Sequence, residues 1–181
     1  MADHSINALM AAARAMEQVV LPAVDKGHPL AMEQATLVTR FLKLFGQRWL
    51  HGHERNRFEL GHYADLAEAL QADAQQVSPA VAQAMAEAQL AARRSLDSAD
   101  AATSELQARA QALAGVVTAL VRTAQRVAHP ARDRIERAVL EASAELLRMQ
   151  RAWFLPQGWE PDPAAIPTLE GCFAERARRD G

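Results

Sequence analysis

The stretch from Leu30 to His51, LAMEQATLVTRFLKLFGQRWLH, indicates the fold class most clearly. Its apolar side chains recur at alternating spacings of three and four residues, which is the period of an amphipathic α-helix. Leu37, Phe41 and Leu44 widen the apolar stripe beyond the width that one neighbouring helix covers. We therefore expect a central helix here, with packing partners on two sides. The stripe itself contains Ala35, Val38, Leu42, Phe45 and Trp49.

The composition of the whole chain agrees with a helical protein. Its 181 residues include 40 Ala and 20 Leu but only 11 Val and 3 Ile, a balance that favours helices over strands. A chain of this size can bury a core without help from disulfides or metals. The single Cys excludes an intrachain disulfide framework and any Cys-based zinc or iron–sulfur site. Abundant Ala and Arg are typical of GC-rich bacterial genomes.

Proline and glycine divide the chain into further segments with a helical apolar period. From them we predict an all-α, elongated antiparallel up-and-down bundle of about five to six helices. This bundle domain is expected over residues 1–155, and an extended Pro-rich C-terminal arm over residues 156–181. The predicted helices cover 5–24, 30–51, 57–74, a segment opening at Ser78-Pro79, 101–127 and a segment beyond Pro130.

Three local signals place helix boundaries. Ser78 is a good N-cap and Pro79 suits the first helical position. The polar run 97–100 predicts a turn whose Asp or Ser side chains cap the next helix. At His129-Pro130 the apolar register breaks, which predicts a turn between the last two helices of the bundle.

The C-terminal segment differs from the rest of the chain. Its prolines prevent a long helix, yet its apolar side chains are too large to remain in water without cost. We therefore expect the arm to pack on its own bundle or on a second subunit. The prolines are Pro156, Pro161, Pro163 and Pro167, and the apolar residues include Trp159, Ile166, Leu169 and Phe173.

A polar cluster, WLHGHERNRFELGHY at 49–63, holds three of the six histidines. The spacing of Glu59 and His62 occurs in di-iron helical bundles, but such sites need a second Glu-x-x-His, which this chain lacks. His51 and His53 reach one ion only if Gly52 breaks the helix. We therefore assign no metal and no catalytic residue. The candidate ligand-binding residues are His51, His53, Glu54, Glu59, His62 and Tyr63.

A second candidate set is aromatic, in a chain that is otherwise poor in aromatic residues. Large rings concentrated near the arm either form an interface with a partner or tie the arm to the end of the bundle. The candidate interface residues are Trp153, Phe154, Trp159 and Phe173.

The expected function follows from what the chain contains and lacks. A formal net charge of -2 gives no general reason to bind nucleic acid, and no apolar run is long enough for a membrane span. No Gly-rich phosphate loop is present. We expect a cytoplasmic, non-enzymatic self-association or protein-interaction module, most simply a homo-oligomer, with no obligatory cofactor. The alternatives are a small-molecule- or metal-binding bundle with a site at His51–His62, or a ligand cavity between Ala-rich helices.

Overall fold

The computed structural model describes residues 4–126 and 130–180. Every regular element within these ranges is helical and none is a strand, which confirms the predicted all-α fold class. None of the described helices is both long and apolar enough to cross a lipid bilayer. The main helices are α1 (His4–Ala15), α3 (Pro29–Arg48), α4 (Gly52–Val77), α5 (Pro79–Asp97), α6 (Thr103–Ala124), α7 (Ala131–Phe154) and α8 (Leu169–Asp180).

The predicted first helix is irregular in its second half. A π-helical turn, Met16–Val20, follows α1, and a short helix α2, Leu21–Ala23, holds the proline. A 3₁₀ turn, Trp49–His51, links α3 to α4. Gly52 keeps a right-handed helical backbone with φ -61° and ψ -39°, so the helix break considered at this glycine does not occur.

The boundary predictions were partly correct. The Ser78 hydroxyl accepts a hydrogen bond from the Val81 N–H at 3.4 Å, and Pro79 starts α5, as expected. The turn after α5 is also present, but Ala102 occupies the N-cap position of α6, so the predicted polar cap is wrong. The chain continues for two residues beyond the turn before it becomes helical. His129 lies outside the described residues, between the end of α6 and the start of α7.

The arm needs a correction at its end. Two 3₁₀ turns, Leu155–Gln157 and Pro163–Ala165, occupy its first half. The extended conformation predicted for the last part is wrong, because α8 forms a helix of 12 residues there. No proline follows Pro167, and the Thr168 hydroxyl accepts a hydrogen bond from the Gly171 N–H at 3.0 Å in the manner of an N-cap. The local cap therefore starts a helix as soon as the prolines end.

The chain divides into two compact units. The first unit contains the described residues up to Gly52 together with Trp153–Ile166. There α3 packs against α1 on one side, where Gly46 leaves room for the Met10 side chain. On another side of α3, Gln157 Nε2 donates to the Arg40 carbonyl at 3.3 Å. These contacts do not cover the apolar stripe, because Val38, Phe45 and Trp49 stay about half exposed, so the central position expected for this helix is wrong.

The second unit contains the described part of His53–Ala152 together with residues 167–180. Its core is built from α4, α5, α6 and α7, and small side chains such as Ala82 and Ala92 let α5 pack closely on α6. Burying each large aliphatic side chain contributes about 1.5–3 kcal/mol. The fully buried large residues of this core are Leu60, Leu70, Met85, Leu106, Leu113, Leu120 and Ile135.

Candidate functional site

The predicted polar cluster does not gather into one site on α4. His51 belongs to the 3₁₀ turn of the first unit, and the other five residues lie on α4. His53 and His62 are nine positions apart, which places them on opposite faces of a regular helix. The His53 Nδ1 atom lies 3.2 Å from the Thr103 hydroxyl. His53 and His62 therefore do not share a ligand.

The remaining members of the set have local partners. Arg55 Nε donates to Glu59 Oε1 at 2.9 Å, one helical turn apart. The Tyr63 ring stands edge-on to the His62 ring, with centroids 5.3 Å apart. Burial raises the pKa of the Tyr63 hydroxyl, and the nearby Glu59 carboxylate raises it further. Glu54 lies in the first turn of α4, where the helix dipole favours a carboxylate.

No metal site is evident in the part of the chain that the structure describes. No group of three or more His, Cys, Asp or Glu side chains in residues 4–126 and 130–180 is arranged to hold an ion. The Glu59–His62 spacing on α4 thus has no matching carboxylate or histidine set opposite it. Glu59 is directed to Arg55, and His62 takes a partner from another helix.

His62 is buried in an ion network that the sequence did not predict. Its side chain is 4% exposed, and its Nδ1 atom lies 3.4 Å from Glu145 Oε2 on α7. Burial lowers the pKa of His62, because a charged ring loses water there, although the hydrogen bond to Glu145 opposes this effect. We therefore assign His62 as the neutral imidazole near pH 7.

Arg176 of α8 is the centre of this network. Its side chain is 4% exposed, and Nη2 lies 2.6 Å from Asp65 Oδ2 on α4, while Nη1 lies 4.0 Å from Glu145 Oε2. Arg179 Nη2 contacts the other Glu145 oxygen at 2.6 Å. Arg93 Nη2 contacts the other Asp65 oxygen at 2.6 Å, so guanidinium groups lie against both oxygens of each carboxylate. These ion pairs and the buried His62 join α8 to α4 and α7.

Gly61 makes room for the buried guanidinium. A Cβ atom at this position would lie 2.7 Å from Arg176 Nη2, closer than two such atoms approach in folded proteins. Gly61 lies next to His62 and one turn before Asp65, so α4 supplies both the space and a carboxylate. The sequence signals for this site were the polar run around His62 and a glycine inside a helix, since Glu145 and Arg176 are distant in the chain.

The space beside the network is small. A cavity of about 10 Å³ adjoins it, which is room for about one water molecule. Cys172 lines this cavity, and burial raises the pKa of its thiol, with a further contribution from Glu175. A thiolate is therefore disfavoured at Cys172. The other lining residues are Phe58, Glu145, Arg148, Pro167, Glu175 and Arg179.

A larger cleft of about 310 Å³ opens at the turn between α5 and α6. Its inner wall includes Ser95, whose hydroxyl donates to Glu105 Oε1 at 2.6 Å. Arg94, Asp100 and Arg109 form its exposed rim. None of the sequence-predicted site residues lines this cleft.

The predicted interface residues have different environments. Trp153 is only 8% exposed, its carbonyl accepts from Arg48 Nε at 3.0 Å, and the guanidinium lies 5.9 Å from the centre of its ring. Phe154 and Trp159 are exposed in the same unit. Phe173 belongs to the second unit, where its ring lies 6.3 Å from that of Phe58. Trp153 thus ties its segment to α3, while Trp159 stays available at the surface.

The first unit also presents exposed apolar side chains along α3 and at the 3₁₀ turn that follows it. Val38 is 46% exposed, Phe45 55% and Trp49 48%, although the stripe that contains them was expected to be covered. The Phe41 ring lies 6.5 Å from that of Phe45. The Trp159 ring meets Phe41 edge-on at 6.3 Å. We name this surface, formed by Val38, Phe41, Phe45, Trp49 and Trp159, the α3 aromatic face.

Comparison of the chain with protein-family models, with curated proteins and with solved structures finds no match. Function is therefore inferred from the residues and their geometry. The two features with the most distinct chemistry are the closed ion network under α8 and the exposed α3 aromatic face.

Proposed function

We propose that the chain is a non-enzymatic self-association module, in which the α3 aromatic face of one copy packs on the same face of a second copy. The observation that carries this proposal is the exposure of Phe45 and Trp49 at 55% and 48%, beside partly exposed Phe41 and Trp159. Large rings grouped in water are costly, and they are enriched where proteins bind each other.

The size of the face indicates the strength of the contact. Each aromatic side chain offers about 150–250 Å² when fully buried, so the four rings, roughly half exposed, retain about 400 Å². Two such faces would bury about 800 Å² from the rings alone, and the surrounding atoms bring the contact to the low end of specific interfaces. We therefore expect a weak dimer whose population depends on protein concentration.

The charges around the face are compatible with a copy of itself. In a two-fold contact the same face of both copies meets. A charge within the face would therefore lie near the identical charge of the other copy and repel it. Arg40 points about 140° away from the face on a regular helix. Lys43 is directed to Glu17 at 2.5 Å, and Arg48 to the Trp153 carbonyl. The described face itself contains only apolar side chains.

An antiparallel arrangement matches the shapes along the face. When two α3 helices run in opposite directions, Val38 of one copy lies opposite Trp49 of the other, and Phe45 lies opposite Leu42, a partly buried residue at the edge of the face. Each contact then joins a smaller aliphatic side chain to a larger ring, and it occurs twice by symmetry. Small and large residues in alternation are the usual way in which facing helices interdigitate.

A small-molecule or metal site at His51–His62 receives less support. His62 lies in a closed network, and the adjoining cavity of about 10 Å³ is too small for a metabolite. We therefore place the function of this chain at its surface, with protein as the partner.

Sedimentation velocity over a concentration series tests the proposal. Phe45→Glu places a charge at the centre of the face, and we expect it to weaken dimerisation at least about tenfold. Gln47→Glu is the matched control, because Gln47 is exposed and lies on the other side of α3 from the face. Circular dichroism of both variants verifies that the helices remain. A wild-type chain that stays monomeric at every concentration would overturn the proposal.

A further inference from the structure

The second unit carries a different exposed apolar row, on α7. Leu140 is 73% exposed and Leu147 53% exposed, more than most leucines in a folded chain. They are seven residues apart, which places them on one side of the helix. Ser143 and Ala144 lie between them on the same side. We name this row the α7 seam, and its members are Glu136, Leu140, Ser143, Ala144, Leu147 and Arg151.

The α7 seam is symmetric about its own middle. Leu140 and Leu147 lie at equal distances on either side of the midpoint between Ser143 and Ala144. Glu136 and Arg151 lie at equal, larger distances from the same point, and they carry opposite charges. Read from either end, the seam therefore presents a charge, a leucine, two small residues, a leucine and the complementary charge.

From this order we infer that α7 pairs antiparallel with α7 of a second copy of the chain, around a two-fold axis at Ser143 and Ala144. In that arrangement Leu140 of one copy meets Leu147 of the other, and Glu136 faces Arg151. Each of these contacts occurs twice. The small residues at the axis let the two helices approach closely.

The charges of the seam favour an antiparallel pair of α7 helices over a parallel pair. In a parallel pair with the same rows in register, Glu136 would face Glu136 and Arg151 would face Arg151, so both ends of the seam would repel. The antiparallel pair replaces both repulsions with attractions. Like charges held opposite each other suppress wrong pairings more strongly than exposed opposite charges stabilise correct ones.

The contacts of Glu136 and Ser143 leave these two members of the seam able to pair. Glu136 is reached by Arg132 Nε at 2.9 Å, one turn earlier, and this exposed pair contributes little to helix stability. The Glu136 carboxylate has acceptor capacity for a second guanidinium. The Ser143 hydroxyl donates to the Val139 carbonyl at 2.7 Å, so its polar atom is satisfied within its own helix. A dry contact at the axis therefore leaves the Ser143 donor satisfied.

The inference goes beyond the proposed function, because α7 and the α3 aromatic face lie in different units. A chain with two distinct two-fold contacts joins more than two copies, either as a closed tetramer or as an open-ended array. The α7 seam has fewer large side chains than the α3 aromatic face, so we expect it to be the weaker contact.

Charge reversal tests the pairing of Glu136 with Arg151. Sedimentation is measured for Glu136→Arg, Arg151→Glu and the double variant, all carrying Phe45→Glu so that the α3 contact is removed. We expect each single reversal to weaken the remaining association about three- to tenfold, and the double variant to recover it. A double variant as weak as the single ones, or no change in any of them, would overturn the inference.

A cysteine placed at the axis gives a second readout that does not depend on the α3 contact. Ala144→Cys puts two thiols beside the two-fold axis, whereas Glu141→Cys puts them on another side of α7, and both variants keep the buried Cys172. Under mild oxidation we expect Ala144→Cys to form a covalent dimer at least about tenfold faster. Equal rates for the two variants would contradict the antiparallel pair, whatever the outcome at Phe45.

Discussion

Two regions of the molecule, the α3 aromatic face of the first unit and the ion network of the second, place their side chains in opposite ways. In the first unit, apolar rings remain in water, with Phe45 and Trp49 about half exposed. In the network of the second unit, polar groups are buried instead, with the charged side chain of Arg176 and the neutral ring of His62 both 4% exposed. Folded domains in water normally bury apolar side chains and expose charged ones. Each departure therefore needs its own physical reason.

The reasons differ, and they assign different roles to the two regions. The buried charge of Arg176 is tolerated because Asp65 and Glu145 lie beside it. Ion pairs within the second unit therefore offset the cost of removing this charge from water. The rings of the α3 aromatic face remain partly exposed in the described chain, and a second copy would cover them. The comparison thus separates the ion network under α8, which maintains the fold, from the α3 aromatic face, which is available for association.

The strongest way to break the comparison is to remove the buried guanidinium. Arg176→Ala leaves Asp65 and Glu145 with fewer cations and empties the space at Gly61. We expect it to lower the free energy of unfolding by about 3 kcal/mol, measured by urea denaturation. Arg178→Ala is the matched control, because Arg178 lies exposed on the same helix and donates to the Ala174 carbonyl. An equal, small effect of both variants would show that the network does not stabilise α8.

Two glycine substitutions test the space under Arg176. Gly61→Ala introduces a Cβ that must displace the guanidinium, and we expect a loss of about 1–2 kcal/mol after the gain in helix propensity. Gly115→Ala meets open space in the middle of α6, so it should stabilise by up to about 1 kcal/mol. In the Arg176→Ala background the cost of Gly61→Ala should disappear. If the cost of Gly61→Ala persists in that background, contact with the Arg176 guanidinium is not the reason for a glycine at position 61.

His62 gives the network a pH dependence of known sign. Its folded pKa is lowered by burial, so above the unfolded value of about 6.5 the ring is neutral in both states. As the pH falls below about 6.5, the unfolded chain takes up the proton first and stability decreases, by at most about 1.4 kcal/mol per pH unit. Denaturation of the wild type should therefore become easier relative to His62→Gln between about pH 7 and pH 5. Parallel stability curves for the two proteins would refute this assignment.

The smallest effect is expected from the ion pair of the first unit. Lys43 and Glu17 are both about half exposed, so water screens their attraction. Lys43→Met should change the free energy of unfolding by no more than about 0.5 kcal/mol. Thermal denaturation of this variant, set beside Arg176→Ala, measures how differently charges act in the two units. A loss comparable to that of Arg176→Ala would remove the distinction.

Much of the fold could be predicted from the sequence, because it depends on local patterns. Apolar period, Ala content and the Ser78-Pro79 signal act within a few residues of one another. The helical end of the arm was missed because four prolines in the same segment outweighed the weaker signal of Thr168. The polar cap of α6 was missed because several polar residues near a turn compete for one position.

The site could be predicted less well, because its members are far apart in the chain. His62 was identified as a polar residue on a helix, but its partners Glu145 and Arg176 lie 83 and 114 positions later and share no pattern with it. The α3 stripe was predicted to be apolar, yet whether neighbours cover it depends on tertiary packing. Periodicity predicts which apolar side chains share one side of a helix. It does not predict which of them are covered by neighbouring elements.

Photo-crosslinking from the centre of the α3 aromatic face tests the central claim most directly. A benzoylphenylalanine is introduced at position 45, the purified protein is irradiated, and the attached residues are mapped by mass spectrometry. We predict a covalent dimer whose crosslinks fall between residues 38 and 49 of the second copy, and whose yield drops on dilution. A product that stays monomeric, or a dimer linked only at residues outside α3 and Trp159, would contradict self-association through this face.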